Sequence, residues 1–324
     1  MPTTSENWFQ QLPQNLVLGL EAGSLYALIA LGYTLVYGIL QLINFAHSEV
    51  FMSGSFGSYL VVNEILHNRH LSGLAIPLTI IAGLISGAVV GAAVAWLLEK
   101  SAYKPLRKRG APKLAFLISA IGASFFLSNL AGKLFNRLPN NSFPGTTPGE
   151  GTNFNLSHNL INYKYFAVNT QEILIIAIAL ATMIFLDRLV NHTKLGRGIR
   201  AVAEDAPTAA LMGIDIDKTI SRTFVIGGAL AGVAGFMFGT AFGVSYTMGF
   251  TPGIKAFAAA VLGGIGNIRG AMIGGILVGE IEVLVTALPF VGAQWLDVSG
   301  FVVLVLVLIF RPTGILGERL GRAA

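Results

Sequence analysis

Few polar side chains interrupt the long apolar stretches of this sequence, so those that do are the first place to look for chemistry. Glu21, Asn44, His47, Glu49, Lys255, Arg269, Glu280 and Glu282 lie in or beside such stretches. A charge inside hydrocarbon is costly, and it persists when it serves a polar route, finds a partner, or reaches the interface. Glu21, Glu49 and Lys255 fall near expected helix ends, where a snorkelling position competes with a functional one. Glu280 and Glu282 lie deeper and, two residues apart, point in different directions on a helix. One is expected to face protein and the other to pair with Arg269 or a partner subunit. No ladder of acids recurs across the spans, which argues against a proton-coupled carrier. Tyr26, Tyr33 and Tyr37 share one helix face by their spacing, as a packing surface or a pathway lining.

Enzyme constellations are missing. There is no nucleophile elbow, no HExxH, and no spacing of histidines that suits a metal. His67 and His70 fall in an expected external loop, and His158 and His192 stand apart. The chain has no cysteine, which excludes disulfides and thiolate metal sites. The run Gly263-Gly264-Ile265-Gly266-Asn267-Ile268-Arg269-Gly270 invites a phosphate-loop reading. No Lys-Ser/Thr follows it, and apolar helix flanks it on both sides. It reads instead as a break in a membrane helix, and such breaks tend to line a cavity. No cofactor is implied. Without an ATP-binding motif, the chain must draw on an ion gradient, on a separate ATPase, or on no energy source.

These residues sit in a chain whose composition belongs to a bilayer. Apolar residues make up 54%, charged residues 11%, and the mean hydropathy is +0.70. A soluble domain carries about 25% charged residues. A span needs about 20 apolar residues. Candidates run over 15–40, 46–66, 74–98, 113–132, 172–190, 219–242, 268–288 and 294–311, with a shorter stretch at 253–265 ending in the glycine run. The expectation is therefore an all-α, polytopic membrane helix bundle with eight or nine passes and one Gly-broken helix near 253–288. Met1 to Gln14 holds no Lys or Arg, so the first apolar segment is expected to remain as a helix rather than act as a cleaved signal. Basic residues cluster at 99–113, 188–222 and in the C-terminal tail, which places these segments in the cytoplasm. The 133–171 segment, rich in Asn, Gly and Pro, reads as an external loop. Small residues four apart (Gly19/Gly23, Gly83/Gly87/Gly91, Gly228/Gly232, Gly235/Gly239/Gly243, Gly270/Gly274, Gly275/Gly279) suit close helix packing.

The cytoplasmic segment 191–218 has a basic start, then a short alanine-rich helix ending at Gly213. Ala209, Ala210, Leu211 and Met212 are too apolar for an exposed linker and suit docking into another protein or onto the membrane surface. Thr208-Ala209-Ala210 followed by Gly213 resembles the coupling loop of ABC transporter permeases, with Thr in place of the usual Glu. Asn44-Phe-Ala-His-Ser-Glu49 is similar to a segment of branched-chain amino-acid permeases, with Ser48 where glycine is common. The stretch from Gly253 to Gly275 and the ending Arg311-Pro-Thr-Gly-Ile-Leu-Gly317 resemble the same family.

The resemblance covers about 15–317 and implies one permease domain over 1–324. It implies a second related permease, two cytoplasmic ATPases, an external substrate-binding protein, an amino-acid substrate and a bacterial inner membrane. Arg200, Glu204, Asp205, Thr208, Ala209, Ala210 and Gly213 are then the expected ATPase contacts. Asn44, His47, Glu49, Gly263, Gly264, Gly266 and Asn267 are the expected pathway residues. A urea or short-amide permease, or a gradient-driven carrier without an ATPase, stays open as an alternative. The absence of cysteine makes topology directly measurable. Cysteine introduced at Ser142 or Thr147 should react with an impermeant reagent on intact cells, and cysteine at Ala102 or Thr208 only after permeabilisation.

Overall fold

A computed structural model describes residues 5–42, 44–62, 75–135, 159–163, 166–288, 291–311 and 313–317. His67, His70, His158, Ser142 and Thr147 lie outside this set. The helices are α1 (Ser5–Leu40), α2 (His47–Leu60), α3 (Ala75–Leu98), α4 (Lys104–Lys108), α5 (Lys113–Phe135), α6 (Thr170–His192), α7 (Lys194–Glu204), α8 (Ala206–Leu211), α9 (Ile216–Phe242), α10 (Phe250–Gly263), α11 (Ile268–Thr286) and α12 (Leu296–Phe310). Among the described residues, five helical stretches are long and apolar enough to cross a membrane: Gln10–Leu40, Pro77–Lys108, Lys113–Leu134, Thr170–His192 and Ile216–Phe242. The chain is a polytopic helical membrane protein. One feature departs from the all-α expectation: β1 (Asn159–Tyr163) and β2 (Phe166–Asn169) form an antiparallel hairpin within the expected external loop. Gln14 Oε1 accepts from Ala167 N at 2.8 Å, so the hairpin is tied to the start of α1.

The chain divides into two compact units. One comprises Leu35–Leu156 and Arg188–Gly253, and the other Met1–Thr34, Ser157–Asp187 and Ile254–Ala324. In the first unit, α3 and α9 meet through glycines. A Cβ at Gly232 would overlap the Gly87 carbonyl, and one at Gly228 would overlap Gly91. Gly54 of α2 presses on Gly232, and Gly235 on the Phe51 carbonyl. Side-chain-free ridges let the backbones touch, and dispersion then replaces the hydrophobic drive that lipid cannot supply. Ser58 bridges two helices, donating to Gly54 O at 3.0 Å and Gly83 O at 2.8 Å. Phe51 stacks edge-on to Phe238 with centroids 5.4 Å apart. The outward faces of α3 and α5 are apolar and exposed, including Leu78, Ile85, Val89, Ile118, Phe125 and Phe126. A hydrocarbon environment covers such a surface.

In the other unit, α1 and α11 approach through Gly19, Gly23, Gly275 and Gly279, and α10 and α11 through Gly263 with Gly270. The four-residue glycine spacings are thus largely contact ridges. Gly243 is different: it sits at φ +83° immediately after α9 and ends that helix. An extra side chain in a tight helix contact costs about 1–3 kcal/mol. Gly232→Val should therefore lower the thermal midpoint of the purified protein and its level in the membrane. Gly122→Ala, at a site with no neighbour within 4 Å, should leave both unchanged.

Candidate functional site

The glycine break and the C-terminal ending come together. At the end of α10, Gly264 and Gly266 take φ of +107° and +94°, a region that glycine enters without steric cost. The last carbonyls of α10 have no partner within the helix. Leu262 O accepts from Ile315 N at 2.8 Å, and Gly263 O from Leu316 N at 3.0 Å. Asn267 caps α11 by accepting from Gly270 N at 3.1 Å, and its amide donates to Leu316 O at 3.0 Å. The segment 313–317 therefore closes the break. A Cβ at Gly264 would lie 2.6 Å from Gly317 Cα. Arg269 pairs with Asp187 at 3.2 Å rather than with Glu280 or Glu282.

Asn44, His47 and Glu49 gather at a second break, between α1 and α2. Asn44 Oδ1 accepts from Tyr103 OH at 2.7 Å. Tyr103 is carried by a π-helical turn, Glu99–Tyr103, between α3 and α4, and packs on Phe224 with centroids 5.2 Å apart. His47 opens α2 and is buried. Glu49 is buried rather than interfacial. Its Oε1 accepts from Ser124 at 3.2 Å, and its Oε2 has no hydrogen-bond partner. Gly249 backs onto Ser48 and Glu49, and Ser128 donates to Tyr246 O at 3.3 Å. The α9–α10 connection thus meets the start of α2 beside two serines of α5.

Lys255 is also buried, not snorkelling. Its Nζ lies 3.1 Å from Glu282 Oε2 and 2.8 Å from Asp297 Oδ1. Tyr26 OH donates to Glu282 Oε2 at 2.9 Å. Glu282 is therefore the deeper acid and finds its cation on α10, while Glu280 lies against Gly19 of α1. The sequence reading missed Asp297, because it opens a helix after a turn and nothing in its neighbours marks it.

The segment 191–218, expected to be cytoplasmic, is two helices, not one. Thr193 caps α7, accepting from Gly196 N at 3.0 Å, and Asp205 caps α8, accepting from Thr208 N at 3.3 Å. The break at Asp205 separates Arg200 and Glu204 from Thr208, Ala209 and Ala210. Arg200 turns back to Val190 O and to Asn191 Oδ1, the latter at 3.1 Å, holding the end of α6. Ala209 is buried, contrary to its expected exposure, whereas Ala210 is exposed and Leu211 and Met212 are 88% and 79% exposed. Gly213, at φ +83°, turns the chain away. Asp215 caps α9; the backbone amide of Lys218, bonded to it at 3.0 Å, holds its carboxyl below the usual range. Two residues on, Asp217 accepts from Arg107 at 2.6 Å and pairs with Lys104 at 3.4 Å. Arg107 also meets Glu99 at 3.1 Å. This network ties the start of α9 to the basic connection after α3, whose residues read in sequence only as a topology signal.

Over residues 15–310 the chain matches the family described as the permease component of the branched-chain amino acid transport system. It is 44% identical over 307 residues to the high-affinity branched-chain amino acid transport system permease protein BraD of Pseudomonas aeruginosa, covering 94% of this chain and 95% of that protein. It is 40% identical over 310 residues to the corresponding LivH of Escherichia coli K12, again covering 94% and 95%. It also shares 26% identity over 184 residues with a probable branched-chain amino acid transport permease protein LivM of Methanocaldococcus jannaschii, covering 48% and 53%.

The glycine break separates two effects. Gly264→Ala should impair uptake and stability, because its Cβ meets Gly317 and φ is positive. Gly266→Ala has open space around it and bears only the backbone strain, about 1–2 kcal/mol. Uptake and membrane level measured on both variants should rank Gly266→Ala as the milder.

Proposed function

The chain belongs to the permease family of branched-chain amino acid transport systems, and from that premise we propose that it is one half of the membrane path of an ATP-driven importer of branched-chain amino acids. It works with a second, related permease, two cytoplasmic ATPases and an external binding protein, in a bacterial inner membrane. The similarity to both LivH-type and LivM-type permeases supports a pair of related subunits. It is not itself an enzyme; hydrolysis occurs on the ATPases.

The observation that carries this reading is the α8 tip. Leu211 and Met212 project from a capped helix of six residues, Ala206–Leu211, that ends in a left-handed glycine. Two large apolar side chains held in the open suit a hydrophobic groove on a partner. The rigid route inward from that tip supports coupling. Ala209 and the α7 residues Ile199 and Val202 are buried, and the Asp217–Arg107–Glu99 network fixes the start of α9. ATP binding shifts the population of membrane states because the ATPase contacts differ between them. Asn44, His47 and Glu49, at a broken helix, are proposed to line the path, since broken segments at membrane depth usually face a polar cavity. Gly263, Gly264, Gly266 and Asn267 are proposed to act as a closed joint.

Ala210→Glu puts a charge into the docking contact without a counter-ion. An unpaired buried charge costs about 3–5 kcal/mol, which is more than about a hundredfold in affinity. The permease pair should reach the membrane at normal levels, lose its co-purifying ATPase and lose ATP-driven uptake. Retention of both would remove α8 as the docking site. Uptake without any ATPase would favour a gradient-driven carrier.

A further inference from the structure

Lys255, Glu282, Asp297 and Tyr26 form a built site that the transport reading leaves without a role. One cation, Lys255, is shared by two carboxylates, Glu282 at 3.1 Å and Asp297 at 2.8 Å. The group therefore carries an excess of one negative charge when all three are ionised. Glu282 is fully buried, yet its Oε1 has no hydrogen-bond partner. That oxygen packs against Gly300 of α12, where a Cβ would lie only 2.9 Å away, so only glycine admits this close approach of α12 to the acid. Asp297, by contrast, is 64% exposed at its side chain. The cluster thus runs from an accessible acid, through a buried lysine, to a buried acid with one oxygen unused.

Its position fits a solute-binding role. Glu282 stands fourteen residues along α11 from the closed glycine break, about 20 Å at 1.5 Å per residue. The break itself is sealed by residues next to the basic tail. With the basic tail on the cytoplasmic side, as the positive-inside rule places it, the cluster lies toward the opposite face, where an incoming solute arrives first.

We propose that Lys255 and Asp297 form a zwitterion-exchange site. The carboxylate of the incoming amino acid replaces Asp297 on Lys255, and its α-ammonium takes the released, accessible Asp297. Tyr26 and Glu282 Oε2 hold Lys255 in place throughout. The exchange substitutes ion pairs for an ion pair and leaves the net charge of the site unchanged. No charge is stranded at any stage. A neutral amide offers no such exchange, because it brings neither a carboxylate for Lys255 nor an ammonium for Asp297. Asp297 tolerates release because it lies in the first turn of α12, where the helix dipole favours an anion. The site thus selects amino acids over urea and short amides. This inference rests on the amino-acid importer reading and sharpens it.

The test uses the complete importer, with both permeases, the ATPases and the binding protein, in proteoliposomes. Leucine uptake should fall at least about tenfold in Asp297→Asn, as expected for loss of a hydrogen bond to a charged group, and recover substantially in Asp297→Glu. A second measurement separates binding from a structural lock. Trp295 is two residues from Asp297 and about half exposed. Its fluorescence, taken as the difference from a Trp295→Phe assembly lacking the binding protein, should change saturably with leucine. N-acetylleucine, which lacks the ammonium, and isovaleramide, which lacks both charges, should leave it unchanged. The titration should shift at least about tenfold in Asp297→Asn. Leucine uptake at the original rate in Asp297→Asn overturns the proposal, as does equal response to leucine and isovaleramide. In either case the importer reading stands. A complete importer that moves isovaleramide or urea but no amino acid removes the importer reading itself.

Discussion

A peptide group without a partner in hydrocarbon costs several kcal/mol, and the rest of this structure is arranged around the few places where helices stop. A stop buried in the protein leaves carbonyls or amides that need a protein partner. At the end of α10 the carbonyls of Leu262 and Gly263 are met by the amides of Ile315 and Leu316, and Asn267 supplies a side chain to each side of the gap. This explains why a glycine run and a distant C-terminal motif belong to one device. The glycines give the chain its turn and admit a second backbone into contact; the ending supplies that backbone.

The same constraint governs the tight helix packing. Lipid is as apolar as any side chain, so apolar surface alone does not hold α3 to α9. Contact between backbones does, through Gly87, Gly91, Gly228 and Gly232, because many weak dispersion contacts form when no side chain intervenes. Helices locked in this way transmit displacement along their length. The Asp217–Arg107 contact at the foot of α9 and the glycine ridge along it make one continuous element, running from the capped helices α7 and α8 into the core of the unit.

Much of the architecture was legible in the sequence, because membrane spans are read from length and hydropathy. The expected segment 219–242 appears within α9 (Ile216–Phe242), 172–190 within α6 (Thr170–His192), and the break at 263–267 separates α10 from α11. Helix partners were not legible. Glycine spacing marks a face without naming what it meets. Nor does sequence distance show that Lys255 meets Glu282 and Asp297, since a charge near a helix end and a charge inside a cluster look the same until the helices are packed. Lys255 was accordingly given an interfacial alternative, and Arg269 was offered a partner it does not have. The segment 191–218 was misjudged for a local reason. Asp205 reads as one more polar residue in an alanine-rich run, but followed by Pro207 it is a strong start signal, and it divides the segment so that Ala209 faces inward.

The buried polar groups divide by how completely they are satisfied. Tyr103 with Asn44 is a closed pair, and a closed pair fixes structure. Glu49 and Glu282 each keep one oxygen without a partner. Replacing a whole buried ion pair by apolar residues is often harmless to stability, so packing alone gives little reason to retain such acids at the start of α2 or on α11. An unmet acceptor becomes useful when a passing solute supplies the donor. Amino acids carry one in their α-ammonium, and they carry a carboxylate to offer in return. For Glu49, at the break between α1 and α2, this is the role we propose along the path.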